Sequence, residues 1–149
     1  DESQKKSVDL ELNEFNLPVL DDYYNQLQMI LMGYMQIYTE VSNLPSFTPS
    51  AARIQRYDKD GHFKSWHYER GGGDTRRRCL VYMTYLNDVE EGGQTYFKYQ
   101  GREIKPEVGK TLIWPSDWTH THRGIGPKEG YKYIATGWYI HDIFDNEEE

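Results

Sequence analysis

His67 and Glu69 stand two residues apart in the stretch Trp66-His67-Tyr68-Glu69-Arg70. On an extended strand, residues i and i+2 point to the same side, with Cα atoms about 6.5–7 Å apart. An imidazole and a carboxylate placed so can reach one metal ion. Further along, Trp118-Thr119-His120-Thr121-His122-Arg123-Gly124 brings two more imidazoles. If that stretch is extended, His120 and His122 share a face, and either could supply a third ligand. Two histidines and one carboxylate on one face of a metal leave coordination positions open, the donor set suited to non-haem Fe(II) chemistry. The bland alternative is that these are ordinary strand residues, and residue types alone leave both readings standing.

Such a site needs strands to hold it. From Pro18 to about Ser42, Leu20, Tyr23, Leu27, Ile30, Tyr34, Tyr38 and Val41 recur at spacings of three, four and seven, which predicts one buried helical face. Asp21 and Asp22 suit the first turn of that helix, and Pro45 closes the region. Its expected role is to pack on one face of a sheet. After Pro49 the period becomes two. Strands are expected near 51–58, 62–69, 77–86, 94–97, 101–105, 109–114, 118–123 and 131–140, with breaks at Lys59-Asp60-Gly61, Gly71-Gly72-Gly73-Asp74, Glu91-Gly92-Gly93, Gly109-Lys110 and Gly124-Ile125-Gly126-Pro127. Eight short strands behind one long helix fit a mainly β, double-sheet jelly roll. Residues 1–17 carry no firm structural signal.

Composition removes several classes of function. The chain has 149 residues, the size of a single domain. No run of ~18 apolar residues exists, so no transmembrane helix is expected. No basic segment followed by an apolar one announces a signal peptide, although the chain opens on Asp1 rather than Met. The net charge of -7 is concentrated at the end, where Asp142, Asp145, Glu147, Glu148 and Glu149 form an acidic tail over 141–149. The remaining body is near neutral and offers no electrostatic footprint for nucleic acid. The single Cys79 makes neither an internal disulfide nor a cysteine zinc cluster, and it suits a reducing, cytoplasmic setting. Thirteen tyrosines and four tryptophans favour β structure.

One segment is more specific than any of this. Tyr85-Leu86-Asn87-Asp88-Val89-Glu90-Glu91-Gly92-Gly93-Gln94-Thr95-Tyr96-Phe97 resembles the "YLNDVEEGGET-F" signature of the 2-oxoglutarate- and Fe(II)-dependent prolyl 4-hydroxylase family. The resemblance runs from about Arg53 to Tyr139. It takes in the His-x-acid motif, the signature, a distal histidine and a Gly-x-Lys-Tyr-x-x-x-x-Trp ending. It implies a double-stranded β-helix, a distorted jelly roll, over 51–140 with the 18–42 helix in support, all in one oxygenase domain spanning 1–149.

The resemblance also assigns residues. His67 and Glu69 fall on the metal-binding pair, where the family's usual acid is Asp and Glu is a departure. The distal histidine of the family precedes a basic anchor by about ten residues, which selects His122 over His120 when Lys132 is that anchor. Lys132 is then expected to hold the far carboxylate of 2-oxoglutarate, with Tyr57, Tyr85 and Thr136 beside it and Trp138 as a pocket wall. Fe(II) on His67, Glu69 and His122, 2-oxoglutarate and dioxygen are the implied cofactors, and ascorbate is left open as an addition. The implied reaction hydroxylates a C–H bond and releases succinate and CO2. A prolyl residue in a peptide or protein is the first substrate class; another peptide residue, a small molecule, or a non-catalytic binding module is the alternative. The loop from Arg70 to Arg78 reads either as a mouth closing over substrate or as a solvated connection, and Arg123 either as a cation holding a substrate backbone or as the partner of a neighbouring acid. Membrane and nucleic-acid partners are not expected, and the oligomeric state is left open.

Overall fold

The structure is a computed structural model that describes residues 5–12, 17–59 and 61–142. The chain opens with β1 (Val8–Glu11), helix α1 (Pro18–Ile37) and β2 (Phe47–Pro49). Eight strands follow: β3 (Arg53–Asp58), β4 (Phe63–His67), β5 (Arg78–Tyr85), β6 (Thr95–Phe97), β7 (Arg102–Ile104), β8 (Thr111–Pro115), β9 (His122–Gly124) and β10 (Tyr131–His141). They form a six-stranded sheet in the order β1-β3-β10-β5-β8, with β2 also paired to β10, and a four-stranded sheet in the order β4-β9-β6-β7. Every strand pairing is antiparallel. This is the double-stranded β-helix.

Helix α1 packs on the outer face of the larger sheet. Pro18 starts it, where a missing N–H is no loss. Leu27 and Leu31 are buried against Leu80, Tyr82 and Tyr139, with Tyr23, Tyr24, Tyr34 and Met35 alongside. The buried stripe therefore runs through Leu31, while Ile30 and Tyr38 of the expected face are exposed. The helix also stops at Ile37 rather than Ser42. Tyr38 leaves the helical path at φ -111 and ψ 76, and a 3-10 turn over Thr39–Asn43 carries the chain on.

Two other expectations change. Residues 8–11 form an edge strand on β3; Val8-Asp9-Leu10-Glu11 alternates apolar with polar, but the run is only four residues long and every one of them is exposed. The expected strand 118–123 is a 3-10 turn over Trp118–His120 followed by the short β9. The cause is local: Thr121 donates both its N–H and its hydroxyl to the Trp118 carbonyl, closing a turn where a strand would continue. Asp60 and the tail beyond Asp142 lie outside the described residues.

Alternation along β5 sorts the core in two. Leu80, Tyr82 and Thr84 face α1, while Val81, Met83 and Tyr85 face the smaller sheet. The register slips near Tyr139, where Leu80 pairs with Tyr139 but Arg78 pairs with Ile140, so Cys79 is the extra residue of a bulge. A bulge re-aims the side chains beyond it. Cys79 stays with the α1 core and Arg78 turns inward.

Candidate metal centre and cosubstrate cavity

Between the sheets lies a cavity of about 260 Å³. The alternating residues Lys132, Ile134, Thr136 and Trp138 of β10 form one wall, and Arg53, Gln55 and Tyr57 of β3 continue it. His67, Glu69 and His122 close one region of the lining.

β4 and β9 pair with His67 opposite His122, which sets the two imidazoles side by side with ring centres 4.3 Å apart. Glu69 comes just after β4, where its own N–H and that of Arg70 both donate to the Ser116 carbonyl. Glu69 Oε1 lies 3.4 Å from Nε2 of both His67 and His122. One donor atom from each residue falls within 4.8 Å of the others. Each Nδ1 is 2.8 Å from a backbone carbonyl, Ser65 for His67 and His120 for His122. A carbonyl only accepts, so each Nδ1 carries the proton and each Nε2 presents its lone pair to the shared point. Two imidazole Nε2 atoms and a carboxylate oxygen aimed at one centre fit an Fe(II) ion. Burial opposes charge on Glu69, but the hydrogen bonds and charge that His122 and His67 supply whenever their Nε2 atoms carry protons outweigh it and hold its pKa far below the ordinary carboxylate value; a metal ion would take the place of those protons.

His120 takes no part in this cluster. Its ring lies outside the cavity beside Thr119, and its backbone carbonyl orients His122. The turn at Trp118–His120 thus separates two histidines that an extended strand would have placed on one face.

Lys132 is 3 % exposed, and its ammonium meets two carbonyls, Ile125 at 3.0 Å and Gly93 at 3.2 Å. The Tyr57 ring lies 4.6 Å away. No carboxylate pairs with it among the described residues. Burial pulls its pKa down to about 8. A buried cation lacking a counter-charge is costly unless an anion joins it, and the cavity is where one can. Tyr57 is buried and donates to Gln55 Oε1 at 2.9 Å, and Thr136 lines the cavity with its hydroxyl donated to the Tyr82 carbonyl. Tyr85 stands apart. It faces inward as alternation requires, but its hydroxyl is engaged with Thr95 at 2.7 Å and the Ile104 carbonyl at 3.1 Å, and Thr95, not Tyr85, reaches the cavity.

Several lining residues carried no sequence signal. Arg78 enters through the bulge. Trp138 donates its indole N–H to Glu69 Oε2 at 3.0 Å, beyond the wall role expected of it. Lys5, Arg53 and Gln55 also line the cavity. Lys5 and Gln55 bind Asp9, and Arg53 binds Glu11, so β1 neutralises that wall. The Arg70–Arg78 loop is tied to the body: Arg70 makes a two-pronged ion pair with Asp117 at 2.6 and 2.7 Å, and Arg77 donates to the His141 carbonyl. Arg123 points to the opposite side of its sheet and stacks on Trp66.

A family model described as the 2OG-Fe(II) oxygenase superfamily matches residues 52–140. The chain belongs to that superfamily. Membership implies Fe(II), 2-oxoglutarate and dioxygen as cofactors, in keeping with the donor set and the buried lysine. Among curated relatives, probable prolyl 4-hydroxylase 9 of Arabidopsis thaliana is 28% identical over 106 residues, covering 56% of this chain and 36% of the relative. Prolyl 4-hydroxylase 13 of the same plant is 26% identical, covering 61% of this chain and 40% of the relative. The chain thus spans little more than a third of these relatives' length. A viral collagen prolyl hydroxylase from Paramecium Bursaria Chlorella virus-1, solved with 2OG, shares the fold at a TM-score of 0.77 and 20% identity, covering 93% of this chain and 81% of that one. A Pseudomonas putida prolyl-4-hydroxylase does so at 0.72 and 18%, covering 95% and 76%. No helix among the described residues is long and apolar enough to cross a membrane.

Proposed function

We propose that this oxygenase hydroxylates prolyl residues in a peptide or protein, with 2-oxoglutarate as cosubstrate. The observation that carries the reading is one cavity lined by a two-histidine, one-carboxylate cluster and by a buried lysine without an acid partner among the described residues. The choice of proline rests on the relatives, which are named as prolyl 4-hydroxylases.

His67 Nε2, His122 Nε2 and Glu69 Oε1 would hold Fe(II). When bound, the iron couples dioxygen reduction to breakdown of 2-oxoglutarate into succinate and CO2 and supplies an oxygen atom to a substrate C–H bond. The two Nδ1–H bonds to carbonyls leave Nε2 as the nitrogen that faces the ion on each ring and fix the ring orientation. Lys132 would receive the far carboxylate of the cosubstrate, and binding would keep its ammonium charged. Tyr57 stays protonated, since burial first and the Asp9 charge second raise its pKa, so its O–H remains a donor. Thr136, which lines the same cavity, would contact the same ligand. Val81, Met83, Trp114 and Ile134 give the cavity wall its apolar part.

Anaerobic addition of Fe(II) and then 2-oxoglutarate should produce a visible charge-transfer band in the wild type and none in Glu69→Ala. Succinate release should then accelerate with a proline-containing peptide and not with the same peptide carrying alanine at those positions. A band with equal stimulation by both peptides would reject proline as the target. Absence of any band from folded protein would reject the cosubstrate site itself.

A further inference from the structure

The second carboxylate oxygen of Glu69 is as firmly placed as the first. Trp138 Nε1 donates to Oε2 at 3.0 Å, and Arg78 Nη1 lies 3.3 Å from the same oxygen. The same Arg78 nitrogen also meets the Glu69 backbone carbonyl at 3.2 Å, so one guanidinium grips both ends of the residue. Arg78 lies 3.6 Å from the Trp138 ring centre, and this cation–π contact braces the two donors against each other. Arg78 is present at all because the Cys79 bulge turns it inward.

We infer that Arg78 and Trp138 position Glu69 as a one-oxygen metal ligand, occupying Oε2 so that only Oε1 is offered to the ion. The inference rests on the iron-site reading above. A glutamate has one more side-chain torsion than an aspartate, and in an open site it could swing or chelate through both oxygens. The clamp removes that freedom. It also fits glutamate specifically: a carboxylate shorter by one methylene cannot keep Oε1's place between the two imidazoles and still reach both donors. Glu69 and its clamp are then one device, and neither part is independently exchangeable. Arg78 and Trp138 act through Glu69 and are positioning residues.

Cobalt(II) is the probe, because its visible bands report coordination geometry without turnover. Arg78→Gln should weaken cobalt binding about 10–100-fold, the range typical for loss of an outer partner of a metal ligand, and shift the bands. Trp138→Phe keeps the ring, loses only the N–H, and should shift the bands in the same direction; it serves if Arg78→Gln folds poorly by near-ultraviolet circular dichroism. In a Glu69→Asp background, where the clamp is already out of reach, Arg78→Gln should change cobalt affinity by less than about threefold, the mark of coupled residues. The inference is overturned if the wild type binds cobalt and both clamp variants match it in affinity and spectrum. It is overturned equally if Arg78→Gln weakens binding by the same factor in the wild-type and Glu69→Asp backgrounds; the iron site would survive either result. Failure of the folded wild type to bind cobalt would overturn the iron-site reading and this inference with it.

Discussion

The two faces of the larger sheet are built from the same strands and do opposite work. Toward α1, Leu27, Leu31, Leu80, Tyr82 and Tyr139 make an interior whose few polar groups are mostly answered: the Tyr82 hydroxyl reaches the Ser50 carbonyl at 2.8 Å, and Tyr23 meets Thr84 at 3.0 Å. Gly137 permits this, since a Cβ there would sit 2.2 Å from the Tyr82 hydroxyl. Toward the smaller sheet, the neighbouring residues Lys132, Trp138 and Arg78 surround a cavity with Glu69 and two bare imidazole nitrogens. One face is finished on folding. The other presents a buried cation and a metal-ligating cluster to a cavity, and a strand's period of two lets both faces exist a few ångströms apart.

That division is open to being broken from each side. The largest effect expected is from Glu69→Ala. Succinate production should fall by more than the ~10–100-fold that loss of a mere outer partner costs, with iron affinity falling in parallel. Near-normal turnover would remove Glu69 from the metal and collapse the distinction between the faces. On the other side, Leu27→Ala should destabilise the fold by about 2–5 kcal/mol, as buried leucine truncations do. It should leave cobalt affinity and the apparent KM for 2-oxoglutarate unchanged at temperatures where the variant is folded. Urea melts checked against cosubstrate kinetics decide this. A raised KM in the folded variant would mean that the α1 face sets the cavity after all.

The same division explains what the sequence could disclose. Alternation on β10 is regular, so the positions of Lys132, Thr136 and Trp138 on one side follow from spacing alone. His67 and His122 pair across two strands whose residue types already suggested a metal. Arg78 was out of reach because strict alternation with Leu80 and Tyr82 sends it to the helix face, and nothing in Arg77-Arg78-Cys79 announces a bulge. Tyr85 keeps its parity but lies where Thr95 comes between it and the cavity, a matter of tertiary depth that no spacing encodes. β1 left only the four-residue alternation Val8-Asp9-Leu10-Glu11, too short to stand out, and burial does not reinforce it because every residue is exposed. Residue types alone left His120 and His122 level and the spacing to Lys132 favoured His122; that His120 would leave the face altogether was not legible, because it follows from the turn the Thr121 hydroxyl helps close.

The smallest expected effect concerns Lys132, the residue that makes the cavity face costly to fold. Its folded-state pKa of about 8 lies below the ordinary value of 10.5. Between those values the unfolded chain holds a proton on Lys132 that the folded chain lacks, so this residue makes stability rise with pH. Below pH 8 both states are charged and the full burial penalty applies, about 3 kcal/mol for a shift of this size. Lys132→Met removes the charge while keeping the unbranched chain. Without 2-oxoglutarate it should therefore be more stable than the wild type at pH 7, with the gap closing as pH climbs from 8 towards 10.5. Comparing the two proteins at each pH cancels the tyrosines that also titrate near the top of that window. Adding 2-oxoglutarate with Fe(II) under anaerobic conditions should raise the wild type at pH 7 and leave Lys132→Met nearly unmoved. Parallel stability curves for the two proteins, or equal stabilisation of both by the cosubstrate, would show that the buried ammonium is satisfied by the Gly93 and Ile125 carbonyls alone. The cavity face would then be as complete on folding as the face beneath α1.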